Sequence, residues 1–302
     1  MRLLRARSVA LWAALALCTQ ALAAAVTDDR GRAFDLERAP QRIVTLAPHL
    51  AEIAFAVGAG ARLVGVSSYS DYPEEASRIP VVANNGRFDL ERLLRAKPDL
   101  ALAWVSGNPA FEIERLERLG IPVFATEARR LADIPRVLRL VGAALGVEAQ
   151  AARAAHEAQA RIESLAARYQ QRVPLKVFVE VWYQPLMTVN AAHLISDALR
   201  LCGGQNVFAD AAMLTPSVSR EALLAARPQV VIMSTGAGTE AEQVARWHAA
   251  ARALPAVRSG ALYAIDPGLL HRQGPRLLDA AQMVCEKLEL ARKAAGIGPI
   301  RR

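Results

Sequence analysis

The stretch DLERLLRAKP at residues 89–98 returns as SREALLAARP at residues 219–228. Glu91 matches Glu221, Leu93 and Leu94 match Leu223 and Leu224, and Ala96 and Pro98 match Ala226 and Pro228. The offset is 130 residues in every case. A repeat at that spacing implies two similar folding units in one chain. Between the copies lies VEAQAARAAHEAQARIESLAARYQQR, residues 147–172, without a glycine or proline. These are strong helix formers, so the 26 residues predict one helix of about 39 Å at 1.5 Å per residue. Its apolar positions are mostly alanine and no leucine heptad persists, which favours a rigid connector over a coiled coil. The expected organisation is an N-terminal lobe over 24–146, a connecting helix over 147–172 and a C-terminal lobe over 173–302. At 302 residues, and roughly 100–200 residues per domain, both lobes are long enough to bury a core.

On either side of the connector, short apolar runs alternate with helical segments. Residues 42–48, 63–68, 99–105 and 122–126 read as strands, and so do 175–181, 229–234 and 261–265. Helices are expected over 49–58, 89–96, 109–119 and 131–145, then over 191–202, 219–226, 239–252 and 275–294. Strands that are apolar throughout and alternate with helices imply parallel sheets covered on both faces. The expected fold is α/β: two Rossmann-like lobes joined by a single long helix.

The first 23 residues stand apart. Arg2, Arg5 and Arg7 precede an apolar run from Ser8 to Leu17, and Ala21 and Ala23 offer small residues for cleavage. That is the pattern of a secretory signal peptide, and the run is too short to span a bilayer. Lipid attachment at Cys18 is an alternative, although Leu17 stands where such signals carry a small residue. Cleavage removes three arginines and lowers the net charge from +8 to +5. It also leaves two cysteines, Cys202 and Cys285. An oxidising compartment favours their pairing, with two free buried thiols as the alternative.

Many chemistries are excluded. No nucleophile-elbow, phosphate-loop, zinc-protease or EF-hand pattern occurs. His49, His156, His193, His248 and His271 are scattered, with none at helical spacing from another, so no metal site is expected. Basic residues interleave with acids without an aromatic-basic stripe, which argues against nucleic acid. Asp71 and Asp266 are the acids an exported enzyme would recruit, and neither has a visible partner, so no enzymatic activity is expected. Aromatic and polar residues do gather after strands, where α/β sheets bind ligands. Pro48 follows the first strand; Tyr69, Asp71 and Tyr72 follow the second; Asn84, Asn85 and Arg87 precede the first repeat helix. Trp104 ends a strand. Trp182, Tyr183 and Met187 open the second lobe's loops, and Asp266, His271 and Arg272 follow the last strand. Two such edges facing one another would form an inter-lobe cleft suited to a large planar ligand. In the repeat, Asp89 and Ser219 are good N-caps, and Glu91 and Glu221 fall in the first helical turn. One such glutamate is an ordinary helix stabiliser. Two at equivalent positions form paired negative marks that arginines of a two-sided partner could read.

The stretches VGVSSYSDYP (64–73), LERLLRAKPDLALAW (90–104), LCGGQNVF (201–208) and VSREALLAARP (218–228) resemble the ABC-importer solute-binding proteins that carry corrinoids, haem and ferric siderophores. The first stretch is especially similar to the cobalamin branch. The resemblance covers nearly all of the mature chain. It implies a class III periplasmic binding protein, acting as a monomer in the periplasm, which captures cobalamin or a related corrinoid between its lobes. It would deliver that ligand to an inner-membrane permease and its ATPase, without a cofactor of its own. It places Glu91 and Glu221 against permease arginines, Cys202 and Cys285 in a disulfide, and Pro48, Tyr69, Trp104 and Arg272 against the ligand. Asn85, Trp182, Met187 and Asp266 complete the expected ligand contacts. The family carries tryptophans near Asn85 and Thr215 and phenylalanine near Met187, and the segment after Asp266 differs in spacing. A haem protein of the same class would use Tyr69, Tyr72 or His271 on iron. A siderophore binder would converge arginines, for which Arg87 and Arg272 are available.

Overall fold

The computed structural model describes residues 25–34, 38–84, 86–236 and 238–297. The signal-peptide segment and Asn85 lie outside the described residues. A short antiparallel pair, β1 (Val26–Thr27) and β2 (Ala33–Phe34), leads in. The first lobe then alternates β3 (Ile43–Thr45), α1 (Pro48–Ala56), β4 (Leu63–Ser67), β5 (Val81–Asn84) and β6 (Arg87–Phe88). It continues through α2 (Leu90–Ala96), β7 (Leu100–Trp104), α3 (Ala110–Arg118), β8 (Val123–Thr126) and α4 (Asp133–Leu145). The connecting helix is α5 (Glu148–Tyr169). The second lobe runs β9 (Leu175–Glu180), α6 (Leu194–Leu201), β10 (Gly204–Asn206), α7 (Arg220–Ala226) and β11 (Val230–Ser234). It ends with α8 (Glu240–Ala250), α9 (Pro255–Arg258), β12 (Leu262–Ile265), α10 (Pro267–Leu270) and α11 (Leu277–Ala294).

The two sheets have the strand orders β6-β5-β4-β3-β7-β8 and β10-β9-β11-β12. The second is parallel throughout. The first is parallel except that β6 returns antiparallel beside β5, so the all-parallel expectation fails at that edge. β10 was not expected either: CGGQN reads as loop, and only its place beside β9 makes it a strand.

The repeat is structural as well as sequential. Asp89 caps α2 by accepting from the Arg92 amide, and Ser219 caps α7 by accepting from the Ala222 amide. Both helices end on a non-glycine residue in the left-handed region, Lys97 at φ +47° and Arg227 at φ +49°. The proline that follows each disfavours further helix. Leu93 and Leu223 are buried, whereas the next leucines, Leu94 and Leu224, face outward.

α5 is shorter than the glycine- and proline-free stretch that encodes it. Gly146, at φ +62°, breaks the chain from α4, and Pro174 lies just beyond the far end. Ala151, Ala155, Ala158, Leu165 and Tyr169 form its buried stripe. The small residues let α4 approach closely: a Cβ on Gly142 would stand 2.0 Å from the Ala151 Cβ. One continuous core runs from α1, β3 and α4 through this stripe to α6, β9 and α11. Separate apolar layers cover the outer faces of the two sheets. Cys202 at the end of α6 is bonded to Cys285 of α11 across 83 residues, so the cysteines do pair. Arg292 of α11, itself buried, donates to the carbonyls of Val173, Cys202 and Gly203 and so pins the exit from α5.

The close helix contact gives a direct test. Gly142→Ala forces a methyl against an immobile neighbour, and such overpacking costs about 1–3 kcal/mol. A urea unfolding series should show that loss, and an unchanged midpoint would refute the close approach of α4 and α5.

Candidate functional site

Each sheet is filled outward from the strand its lobe lays down first. In the N-terminal sheet β3 lies between β4 and β7; in the C-terminal sheet β9 lies between β10 and β11. At such switch points the loops leaving neighbouring strands part, and a crevice opens at the carboxyl ends. Some residues found there are ones the sequence pointed to, and others are not. Pro48 begins α1 just after β3, and Trp104 ends β7. Trp182 follows β9. Ser234 ends β11.

The C-terminal crevice is a cleft of about 570 Å³ lined by Val181, Trp182, Met187, Val189, His193, Thr215, Ser234, Thr235, Gly236, Pro267 and His271. A separate chamber of about 280 Å³ shares His193 as a wall and is lined from both lobes. Ser106, Glu127, Ala128 and Arg129 come from the first lobe, and Asn190, Leu214 and Gln273 from the second. The loops after β7 and β8 of the first sheet thus face second-lobe residues across the smaller chamber.

Trp182 and Met187 line the larger cleft, whereas Tyr69 and Trp104, which follow strands of the first sheet, are not among the lining residues of either cavity. Trp182 is 62% exposed, its Nε1 donating to the Gln184 carbonyl at 2.7 Å. Trp182 and Met187 are antiparallel bridge partners, which places them side by side on the wall. Tyr69 is 70% exposed. Trp104 is half-buried, its ring edge-on to His49 at 5.2 Å. Apolar side chains gathered at an open cleft mark a binding surface rather than a core.

The polar groups of the wall are held neutral. His193 caps α6, its Nδ1 accepting from the Ile195 amide at 3.1 Å. That bond leaves the proton of the neutral ring on Nε2. Burial, and then the neighbouring His271, press His193 down to about 4. Burial lowers His271 as well, and its Nε2 lies 2.5 Å from the Ser234 hydroxyl. Behind the wall, the Glu180 carboxyl accepts from Trp247 Nε1 at 2.6 Å and from the Gln243 amide, while burial pushes it up. Among the described residues no group of three or more His, Cys, Asp or Glu could hold a metal ion.

Arg272 and Asp266 occupy settings the sequence did not reveal. The Arg272 side chain is only 9% exposed and donates through Nη1 to Glu52 Oε1 at 2.7 Å. Its Nη2 reaches the Tyr69 carbonyl at 2.8 Å and Asp71 Oδ1 at 2.6 Å. Arg276 also reaches Glu52, at 3.2 Å, and lies over the Tyr72 ring at 4.0 Å from its centroid. Burial pushes the Glu52 carboxyl up, and the two arginines pull it back. Asp266 caps α10 by accepting from the Gly268 amide at 2.6 Å. Nothing in the sequence singles out His193. Ser234 could have been found as the last residue of a strand, and Glu52 as the sole acid in a helix that is apolar apart from His49.

The buried histidines fix an acid response. His49, pressed to about 3 by burial and then by Arg272, and His193, at about 4, both titrate well below the ordinary value of about 6.5. A depressed histidine contributes stability that is complete above about 6.5 and is lost as pH falls toward its folded value. Glu52 and Glu180, raised by burial, act in the opposite sense as pH falls toward their ordinary value of about 4.5. Urea stability should therefore fall by about 1 kcal/mol or more per buried histidine between pH 6.5 and 5. His193→Gln should flatten the profile, and an unchanged slope would refute the assignment.

Comparison with known proteins agrees with this arrangement. Residues 43–269 match the family model described as "Periplasmic binding protein". The chain is 36% identical to the vitamin B12-binding protein of Vibrio cholerae serotype O1, over 84% of this chain and 91% of that one. Among solved structures it is similar to the periplasmic vitamin B12-binding protein BtuF of Vibrio cholerae, with a TM-score of 0.78 and 35% identity. That match covers 84% of this chain and 98% of the other. It is also similar to the periplasmic haem-binding protein RhuT from Roseiflexus sp. RS-1, with a TM-score of 0.74, 26% identity and coverage of 83% and 98%. With two α/β lobes about one long helix and a family match over most of its length, the chain belongs to the periplasmic binding protein family.

Proposed function

We propose that this chain is an exported solute-binding protein that captures cobalamin or a related corrinoid between its lobes and delivers it to an inner-membrane ABC importer. The observation that carries this reading is the cleft at the carboxyl end of the second sheet, lined by Trp182, Met187 and polar groups that are uncharged at neutral pH, beside a chamber walled from both lobes. Such a wall suits a broad, largely apolar macrocycle fringed with amides, and relatives of this chain are named for vitamin B12. Binding needs no covalent step and no cofactor, because cobalt arrives enclosed in the corrin. Pro48, Tyr69 and Trp104 would meet the ligand from the first lobe. Haem is the competing ligand class. His193 presents an N–H rather than a lone pair to the cleft, and His271 is engaged with Ser234, which weighs against histidine ligation of iron. Titration calorimetry with cyanocobalamin should give binding at micromolar concentrations or below, whereas haem should give neither comparable heat nor a shifted absorption band. No heat with cyanocobalamin would overturn the corrinoid reading.

Glu91 and Glu221 are read as the importer-docking residues. Both are exposed in the first turn of matched helices. Glu91 pairs with Arg95 at 2.6 Å on the surface, and the own backbone amide and Ser219 hold the Glu221 carboxyl below the usual carboxylate range. Exposed pairs of this kind are weak, so a partner arginine can displace Arg95. The double change Glu91→Arg and Glu221→Arg should leave corrinoid affinity intact and abolish uptake. Lost affinity with the importer absent would place these residues in the ligand site instead. Export follows from the signal-peptide pattern of residues 1–23, and among the described residues no helix is long and apolar enough to cross a membrane.

A further inference from the structure

We infer, on the corrinoid reading of the cleft, that the smaller chamber is a subsite for one primary-amide arm of the ligand, and that the side-chain amide of Gln273 pairs with that arm. The chamber, of about 280 Å³, takes Ser106, Glu127 and Arg129 from the first lobe and Asn190, His193 and Gln273 from the second. Its lining carries one acid and one base, and His193 is neutral. Walls so balanced suit a polar group without net charge better than an anion or a cation. The volume admits a short arm of the ligand and not the macrocycle itself. His193 also lines the larger cleft, so a ligand lying across that residue comes within reach of both cavities.

Most polar side chains of the chamber are already engaged. Glu127 accepts from the Ser106 amide at 2.9 Å and from its hydroxyl at 3.2 Å. Asn190 donates to the Ala211 carbonyl and accepts from the Ala192 amide, both at 3.0 Å. His193 Nδ1 accepts from the Ile195 amide, which leaves its Nε2–H as a donor. Gln273 is the exception. It is only 7% exposed, and its Oε1 has no hydrogen-bond partner among the described residues. A buried polar atom left unpaired costs the ligand-free protein, and the loss is recovered when a partner arrives. A half-turn of the terminal torsion brings either end of the Gln273 amide to such a partner. A primary amide matches it in both senses, since each of the two groups then donates one N–H and accepts at one carbonyl. A carboxylate lacks the donor that Oε1 requires. Corrins carry primary amides on their side arms, whereas haem carries carboxylates, so this residue favours the corrinoid.

The test pairs changes in the protein with changes in the ligand. Cyanocobalamin affinity would be measured by calorimetry for the intact protein, Gln273→Leu and Gln273→Met. Both variants should weaken binding by about tenfold, the worth of one buried hydrogen-bonded pair. The titrations would then be repeated with the separate cyanocobalamin derivatives in which a single side-arm amide is hydrolysed to a carboxylate. One derivative should lose about tenfold in the intact protein and less than about twofold in Gln273→Leu, because its arm no longer has a partner to lose. If Gln273→Leu and Gln273→Met bind cyanocobalamin as the intact protein does, or if every derivative loses the same factor in all three proteins, no arm pairs with Gln273. The inference then fails while the corrinoid reading stands. If the intact protein gives no binding, the corrinoid reading fails and this inference with it. Thermal unfolding supplies a readout without ligand. Both variants should melt at or above the midpoint of the intact protein, since each removes an unpaired buried amide. A lowered midpoint in both would show the amide to be engaged within the fold and would overturn the inference.

Discussion

The architecture depends on how closely α5 lies against its neighbours. The chain passes from one sheet to the other through this helix, and its buried side is a row of alanines ending in Leu165 and Tyr169. Small side chains bring backbones together, so α4 on one side and α6 and α11 on the other share one apolar core with it. In most two-lobed proteins a flexible linker leaves lobe motion as the default. Here the linker is itself core. Helices of both lobes pack against α5 in that one core.

A second inter-lobe connection is electrostatic. Burying a carboxylate such as Glu52 is costly, and even a good ion pair commonly only offsets the desolvation. Its value lies in geometry rather than net stability. Two guanidiniums from one lobe converge on a carboxylate from the other, and the loop carrying Tyr69 and Tyr72 is fastened in the same act. Meanwhile the histidines nearer the ligand space are kept uncharged by burial. Charge orders the lobes at Glu52, while the two histidines of the larger cleft carry none at neutral pH.

The outer surface follows a different logic. The repeat places a capped short helix, an exposed glutamate and an exposed leucine at corresponding points of both lobes. None of these residues supports the core. On the proposed reading, a basic chain that displays a matched acidic pair, once per lobe, offers a mark that a partner engaging both lobes could read.

Much of this was legible in the residues. Periodicity and glycine placement located the strands and long helices to within a few residues, because each signal is local: Gly146 ends α4, and alanine-rich sequence propagates α5. The repeat marked Glu91 and Glu221, and the rule that ligands gather at strand ends marked Trp104 and Trp182. What remained hidden depends on residues far apart in the chain. β10 is a strand only because β9 lies beside it. Arg272 looked like a free cleft arginine until Glu52, Tyr69 and Asp71 came within 3 Å of it. The sequence alone determined two α/β lobes, one connector and a paired surface mark, since backbone propensity and repetition are written locally. Only the tertiary structure decided which polar groups reach the ligand space, because burial and pairing are set by neighbours that folding brings together from both ends of the chain.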